Sequence, residues 1–120
     1  MDSYKDLEVW KKSRQLVSLV YLHTNSFPQN EFYGLTSQLR RCVISIPSNI
    51  AEGCGRRTAK NTIQFLYISR GSLYELETQL YLALDLNYID KNNFNELQNE
   101  LLTCRKLLSG FINYYKSRLN

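Results

Sequence analysis

Apolar residues recur along this chain in four separate stretches at steps of three and four, the spacing that places them on one face of an α-helix. The most regular stretch is the last. Phe94, Leu97, Leu101, Cys104, Leu108, Phe111 and Tyr115 alternate steps of three and four, a heptad that predicts a long bundle helix with Asp90 as its N-cap. The stretch before it steps through Thr62, Leu66, Ser69, Leu73, Leu76, Leu80 and Ala83 in the same alternation, widened by Phe65, Ile68 and Leu84. It predicts a helix from about Ala59 to Asn87, capped by Thr58. The break Asn87-Tyr88-Ile89 separates the two.

The first stretch carries Val9, Trp10, Ser13, Leu16, Val17, Val20 and Tyr21 on one stripe, with Lys11, Lys12, Arg14 and Ser18 off it. It predicts a solvated-face helix from an Asp6 N-cap to about Asn25. Pro28 then disfavours helix at Phe27 and marks a connector over residues 25–30. After a turn at Glu31 to Gly34, the second stretch (Leu35, Leu39, Cys42, Val43, Ile46, Ile50) predicts a helix from about Thr36 to Gly53. There a glycine suits the left-handed C-terminal position. Pro47 lies inside this helix, removes one backbone donor, and is expected to kink or split it near Ile46. The links between stretches are short. The expected fold is therefore all-α, one antiparallel up-down-up-down four-helix bundle across residues 1–120, its second helix kinked at Pro47.

Composition agrees with a folded domain: 43% of the 120 residues are hydrophobic and 22% charged, with only two prolines and five glycines. No apolar run reaches membrane-spanning length, and the charged N-terminus lacks the apolar core of a secretory signal. Cys42, Cys54 and Cys104 are odd in number and widely spaced, as expected of free thiols in a reducing compartment. The expectation is a cytoplasmic protein with no membrane association. The net charge of +4 hides a larger asymmetry. Residues 36–74 hold Arg40, Arg41, Arg56, Arg57, Lys60 and Arg70 against Glu52; residues 75–100 hold Glu75, Glu77, Asp85, Asp90, Glu96 and Glu100 against Lys91. Local fields of this kind decide what a surface attracts.

Parts for catalysis are missing from the sequence. His23 is the sole histidine, so neither the paired Glu-x-x-His of a di-iron bundle nor a clustered zinc set can be assembled. No GxxxxGK[ST] loop occurs. Cys54 follows a helix C-terminus, whose partial negative charge raises a thiol pKa. No catalytic residue, metal site or cofactor is expected.

A polar strip remains on the second helix: Gln38, Arg41, Ser45, Ser48 or Asn49, and Glu52, matched on the third by Ser72, Glu75 and Gln79 with Gly71 allowing close approach. Either these side chains bond between helices and serve the carbonyl freed by Pro47, or they contact a partner. The first role is favoured, since Ser and Asn beside a kink usually serve the backbone. Tyr67, Tyr74, Tyr81 and Tyr88 recur every seven residues. The row either packs within the bundle or forms an oligomer interface; with Leu73 and Leu80 already filling the seam, the interface is favoured. Arg56 and Arg57, on a link outside any apolar seam, are the leading candidates for phosphate contacts, with Lys60. Arg40, Arg41 and Arg70 serve that role or pair with Glu52 or Glu75.

Three stretches carry a family resemblance: Asp6 to Trp10 (DLEVW); Phe32 to Arg41 (FYGLTSQLRR) running on to Ser45 to Gly53 (SIPSNIAEG); and Arg70 to Glu77 (RGSLYELE). The chain resembles the bacterial four-helix-bundle proteins encoded in intervening sequences of large-subunit ribosomal RNA genes, a family similar in turn to the accessory variability determinant of diversity-generating retroelements. The resemblance implies a ring-forming homo-oligomer, typically a pentamer. Through the retroelement relatives it also implies a basic surface that engages RNA or DNA and a reverse transcriptase. It implies no activity. A non-enzymatic, ring-forming bundle that binds nucleic acid non-specifically is the leading expectation, and a protein-interaction scaffold is the alternative.

Overall fold

Side-chain capping sets where three of the four helices start. The computed structural model describes residues 3–119, with four α-helices: α1 Glu8–Thr24, α2 Leu35–Cys54, α3 Ala59–Asp85 and α4 Lys91–Lys116. Thr58 accepts from the Asn61 amide at 3.1 Å and Asp90 from the Asn93 amide at 2.7 Å, so α3 and α4 begin where the sequence places them. Asp6 does not cap α1. It belongs to a 3-10 turn, Tyr4–Asp6, that Ser3 caps, and Leu7 holds the α1 N-cap position without a side-chain bond. A second 3-10 turn, Gln29–Glu31, leads into α2, where Glu31 Oε1 accepts from the Leu35 amide at 3.1 Å. A side chain at Gly34 would collide with that carboxylate.

The helix ends depart from expectation in instructive ways. α3 stops at Asp85 because Asn87 takes φ 61°, while the Tyr88 amide donates to the Ala83 carbonyl and the Asn87 amide to that of Leu84. This is the Schellman pattern, with asparagine in the position usually held by glycine. Tyr88 therefore lies beyond α3. Gly53 is not a left-handed cap; it sits inside α2, which ends one residue later at Cys54. Nor does Pro47 split α2, which is one helix across it.

Close backbone approaches join α1 to α2, α2 to α3, α3 to α4 and α4 back to α1, while the diagonal pairs keep their backbones farther apart. Short links between successive neighbours make the bundle up-down-up-down. At one end His23 Nε2 meets Glu96 Oε1 at 2.6 Å and the Tyr88 hydroxyl donates to Glu31 Oε2 at 2.7 Å. At the other, Lys116 lies over the Tyr67 ring.

The buried seam of α3 is the predicted one throughout: Thr62, Leu66, Ser69, Leu73, Leu76, Leu80 and Ala83, joined by Ile63. The α4 seam holds from Phe94 to Leu108, then passes to Ile112, leaving Phe111 and Tyr115 half-buried. An uncoiled helix advances 3.6 residues per turn, so a strict seven-residue repeat drifts off the core and an extra step of four restores it.

Between α2 and α3 the seam is made of small polar residues. Ser69 Oγ donates to the Ile46 carbonyl at 2.8 Å, Thr62 Oγ1 to the Gly53 carbonyl at 2.8 Å, and Cys42 Sγ to the Ser72 carbonyl at 3.1 Å. The Ser45 and Ser72 hydroxyls bond at 2.6 Å. Within α2, Ser45, Ser48 and Asn49 donate to the carbonyls of Cys42, Ile44 and Ser45. Of the predicted strip, the Ser45–Ser72 bond crosses between the helices, Ser48 and Asn49 bond within α2, and Glu52 pairs with Arg56. The strip's side chains serve the carbonyls around Pro47, and not that of Val43, the one that the proline ring faces.

Gly53 is buried in this seam, and a Cβ there would stand 3.1 Å from Phe65 Cβ and from the Thr62 carbonyl oxygen. Gly71, expected to permit close approach, is exposed and a Cβ there meets nothing within 4 Å. The two glycines therefore respond to alanine with opposite sign. Gly71→Ala should raise stability by about 0.5–1 kcal/mol through helix propensity. Gly53→Ala should lower it by about 1 kcal/mol, because overpacking between two helix backbones outweighs the same gain. Urea denaturation of both variants checks the pair, and stabilisation by Gly53→Ala would mean the seam is loose.

Candidate nucleic-acid interface

Antiparallel packing brings the start of α1, the end of α2, the start of α3 and the end of α4 to one end of the bundle. That end carries eight exposed cations: Lys5, Lys11, Arg14, Arg56, Arg57, Lys60, Lys116 and Arg118. The carboxylates near them among the described residues are Asp6, Glu8 and Glu52, of which Glu8 lies 3.8 Å from Lys11 and Glu52 3.0 Å from Arg56. Exposed pairs of this kind contribute little and leave the excess of positive charge in place. The acidic residues of positions 75–100 collect on the C-terminal part of α3 and the N-terminal part of α4, toward the opposite end.

The predicted phosphate-binding residues do not form one cluster. Arg56, Arg57 and Lys60 share the link from α2 to α3 and the first turn of α3, all exposed. The Arg56 guanidinium also lies 4.4 Å from the Phe65 ring centroid. Arg40 and Arg41 lie about 20 Å away along α2, from the helical rise. Arg40 pairs with neither Glu52 nor Glu75. Its Nε donates to Thr24 Oγ1 at 2.9 Å and its Nη2 to Asn25 Oδ1 at 3.2 Å, with the guanidinium over the Tyr21 ring, so it ties α1 to α2. Arg41 is exposed beside Tyr21, Phe32, Tyr33 and Ile44 on an open groove of about 280 Å³. Arg70 is half-buried over the Tyr67 ring.

The tyrosine row runs along the side of α3 that faces α4. Tyr67 is half-buried beneath Arg70 and Lys116. Tyr74 is 54% exposed with Arg105 over its ring, and Tyr81 is 48% exposed and packs on Phe94 at 4.9 Å. Tyr88 is tucked against Phe27 and bonded to Glu31. Only the two middle tyrosines offer substantial surface to a partner. Arg105 is held above Tyr74 by Glu77, whose carboxylate accepts from Arg105 Nη1 at 3.0 Å and from Gln98 Nε2 at 2.6 Å.

The thiols are poor nucleophiles. Burial, and then the neighbouring Glu75, pushes the Cys42 thiol far up; burial pushes Cys104 up to about 12 and also raises Cys54. No group of three or more metal-ligating side chains forms among the described residues, and none of their helices is long and apolar enough to cross a membrane. Lys5, Lys11, Arg14, Lys116 and Arg118 escaped the sequence reading of the site. They lie at the chain's two extremities, and only pairing the start of the first helix with the end of the last would have grouped them with Arg56 and Arg57.

These features define a class: an up-down four-helix bundle with a cationic end and a half-exposed tyrosine row along one groove. The chain belongs to the 23S rRNA-intervening sequence protein family, whose model matches residues 5–110. Its fold is shared with a crystal structure from Bacteroides thetaiotaomicron described as a protein with unknown function from the S23 ribosomal protein family. That protein is 26% identical, with a TM-score of 0.78 over 87% of this chain and 97% of the other. No curated protein matches the chain.

The bonds from Arg105 and then Gln98 hold the Glu77 carboxyl below its ordinary 4.5. A carboxyl lowered on folding stabilises fully above the unfolded value, and that contribution disappears as pH falls through the lower folded value. Thermal unfolding from neutral pH to about pH 3 should show a smaller acid-induced fall in Tm for Glu77→Gln than for the native chain. Identical falls would mean the Arg105–Glu77–Gln98 tie carries no stability.

Proposed function

We propose that this protein is a non-enzymatic, ring-forming homo-oligomer that associates with nucleic acid, without sequence readout, through its cationic end. The observation that carries the reading is the convergence of exposed cations from the ends of α1, α3 and α4 and from the α2–α3 link on one end, against three nearby carboxylates. Arg56, Arg57 and Lys60 make the central phosphate contacts; Arg41, about 20 Å away along α2, is secondary, and Arg40 is engaged by Thr24 and Asn25. Phosphate contacts of this kind fix position and affinity without reading bases. Cyclic symmetry would multiply the patch into a basic face, raising avidity without new contacts. RNA is the first ligand to test, since the family is described by its place in 23S rRNA intervening sequences. A reverse transcriptase partner rests on the retroelement resemblance alone.

A second reading, a protein-interaction module, is favoured by a different surface. Tyr33 is 91% exposed and Phe32 52%, in edge contact with each other beside Arg41 and Ile44. Exposed aromatics beside arginine are the composition of interface hot spots.

The two are separated by binding across a salt series. The native chain should bind RNA and DNA at low salt with affinity that falls as salt rises. Arg56→Glu with Arg57→Glu should weaken binding uniformly across sequences and reduce the slope of log K against log salt by about 1.5–2 per protomer. Binding absent at low salt, or indifferent to both changes, sinks the nucleic-acid reading and leaves the protein module. For assembly, Tyr74→Glu with Tyr81→Glu should lower the mass measured by light scattering. An unchanged mass removes the tyrosine row from the interface.

A further inference from the structure

The cationic end holds an open groove that combines charge with an aromatic ring. Lys5, Trp10, Lys11, Arg14, Gln15 and Ser18 line an open volume of about 520 Å³ with no carboxylate in its lining. Trp10 is the only tryptophan in the chain. Its ring is half-buried, packed against the core on one side and held edge-on by Tyr4 at 5.2 Å. The Arg14 guanidinium lies 4.9 Å from its centroid, and Arg14 is itself exposed to the groove. The result is a fixed ring with a planar cation over it, flanked by two further cations.

We infer that this groove takes an unpaired base of a single-stranded nucleic acid, stacked on the Trp10–Arg14 pair, with the adjoining phosphates against Lys5 and Lys11. The inference rests on the nucleic-acid reading above and deepens it by naming the strand form. The guanidinium plane that lies over the indole stacks on the face of any base, so the site tolerates every sequence. It discriminates by availability. The bases of a duplex are already stacked on one another, so a duplex receives the phosphate attraction alone. A single strand receives that attraction and the stacking together. Charge complementarity and the absence of a lining carboxylate favour a polyanion over an acidic-rimmed protein surface.

Trp10 reports on its own site. The intact chain is titrated at low salt with short oligo-uridine, with a blunt RNA duplex and with inorganic polyphosphate. Tryptophan emission and the anisotropy of labelled nucleic acid are followed in parallel. Single strand should bind about tenfold or more tighter than duplex, the factor that one stacked base supplies, and should quench the emission. Polyphosphate should bind without quenching. Trp10→Leu should abolish the single-strand preference and leave duplex binding unchanged. Because Trp10 also packs on the core, the exposed Arg14→Met variant provides a second measure, and it too should lose most of the preference. Nucleic-acid binding with unchanged Trp10 emission, or with equal affinity for both strand forms, overturns the inference while the cationic-end reading stands. No binding by anisotropy overturns both.

Discussion

The close union of α2 and α3 through side-chain hydroxyls that donate to the opposite helix's carbonyls is the constraint around which the bundle is arranged. Leucine seams bring helices together at ordinary spacing. Here Gly53, Ser45, Ser69, Ser72 and Thr62 take the place of large residues, and Ser69 and Thr62 bond across to the carbonyls of Ile46 and Gly53. Buried hydroxyls of this kind are costly unless paired, and once paired each contributes on the order of 1 kcal/mol. Their larger effect is on register. A slide of one helix along the other would leave several buried polar atoms unpaired together, so the seam admits one alignment. Around Pro47 the carbonyls of Cys42, Ile44, Ser45 and Ile46 have side-chain donors from its own helix and from α3, and that of Val43 has none among the described residues.

Fixing α2 against α3 also fixes the link between them, and with it the placement of Arg56, Arg57 and Lys60 at the bundle's end. The up-down path then returns α4 to the same end, beside the start of α1. A net charge of only +4 becomes a concentrated positive surface, because the acidic residues of α3 and α4 lie mostly toward the other end. A field of this form acts on a polyanion through local density and not through the total. Arg40, by contrast, is used internally, tying α1 to α2 through Thr24 and Asn25.

The aromatic residues divide in a similar way. Tyr67 and Tyr88 are absorbed into the bundle, and Tyr74 and Tyr81 stay half-exposed along the groove between α3 and α4. Tyr33 and Phe32 stand out on the turn before α2, and Trp10 sits within the cationic end. One small bundle thus presents three aromatic surfaces of different character. The tyrosine row is suited to a flat protein contact, the Phe32–Tyr33 corner to a partner with an apolar anchor, and the Trp10 groove to a stacked base. Fold similarity to the Bacteroides thetaiotaomicron structure extends to the bundle and leaves these surfaces to be judged on their own chemistry.

The sequence by itself determined the four helices, seven of their boundaries to within a residue or two, and nearly every core position of α3, because a 3.6-residue periodicity and capping residues are local signals. Thr58 and Asp90 were legible for that reason. It could not show that Gly53 serves close approach and not a helix end, since both uses look alike until the neighbouring helix is in place. It could not show that Ile112 replaces Phe111 at the end of α4, because the drift of a repeat depends on whether the helix supercoils. The candidate site was half legible: Arg56, Arg57 and Lys60 stood out as neighbours in the chain. Lys5, Lys11, Arg14, Lys116 and Arg118 joined them only when antiparallel packing brought the two extremities of the chain to one end. Charge clustering across helices is a property of tertiary arrangement, and so only the fold could decide it.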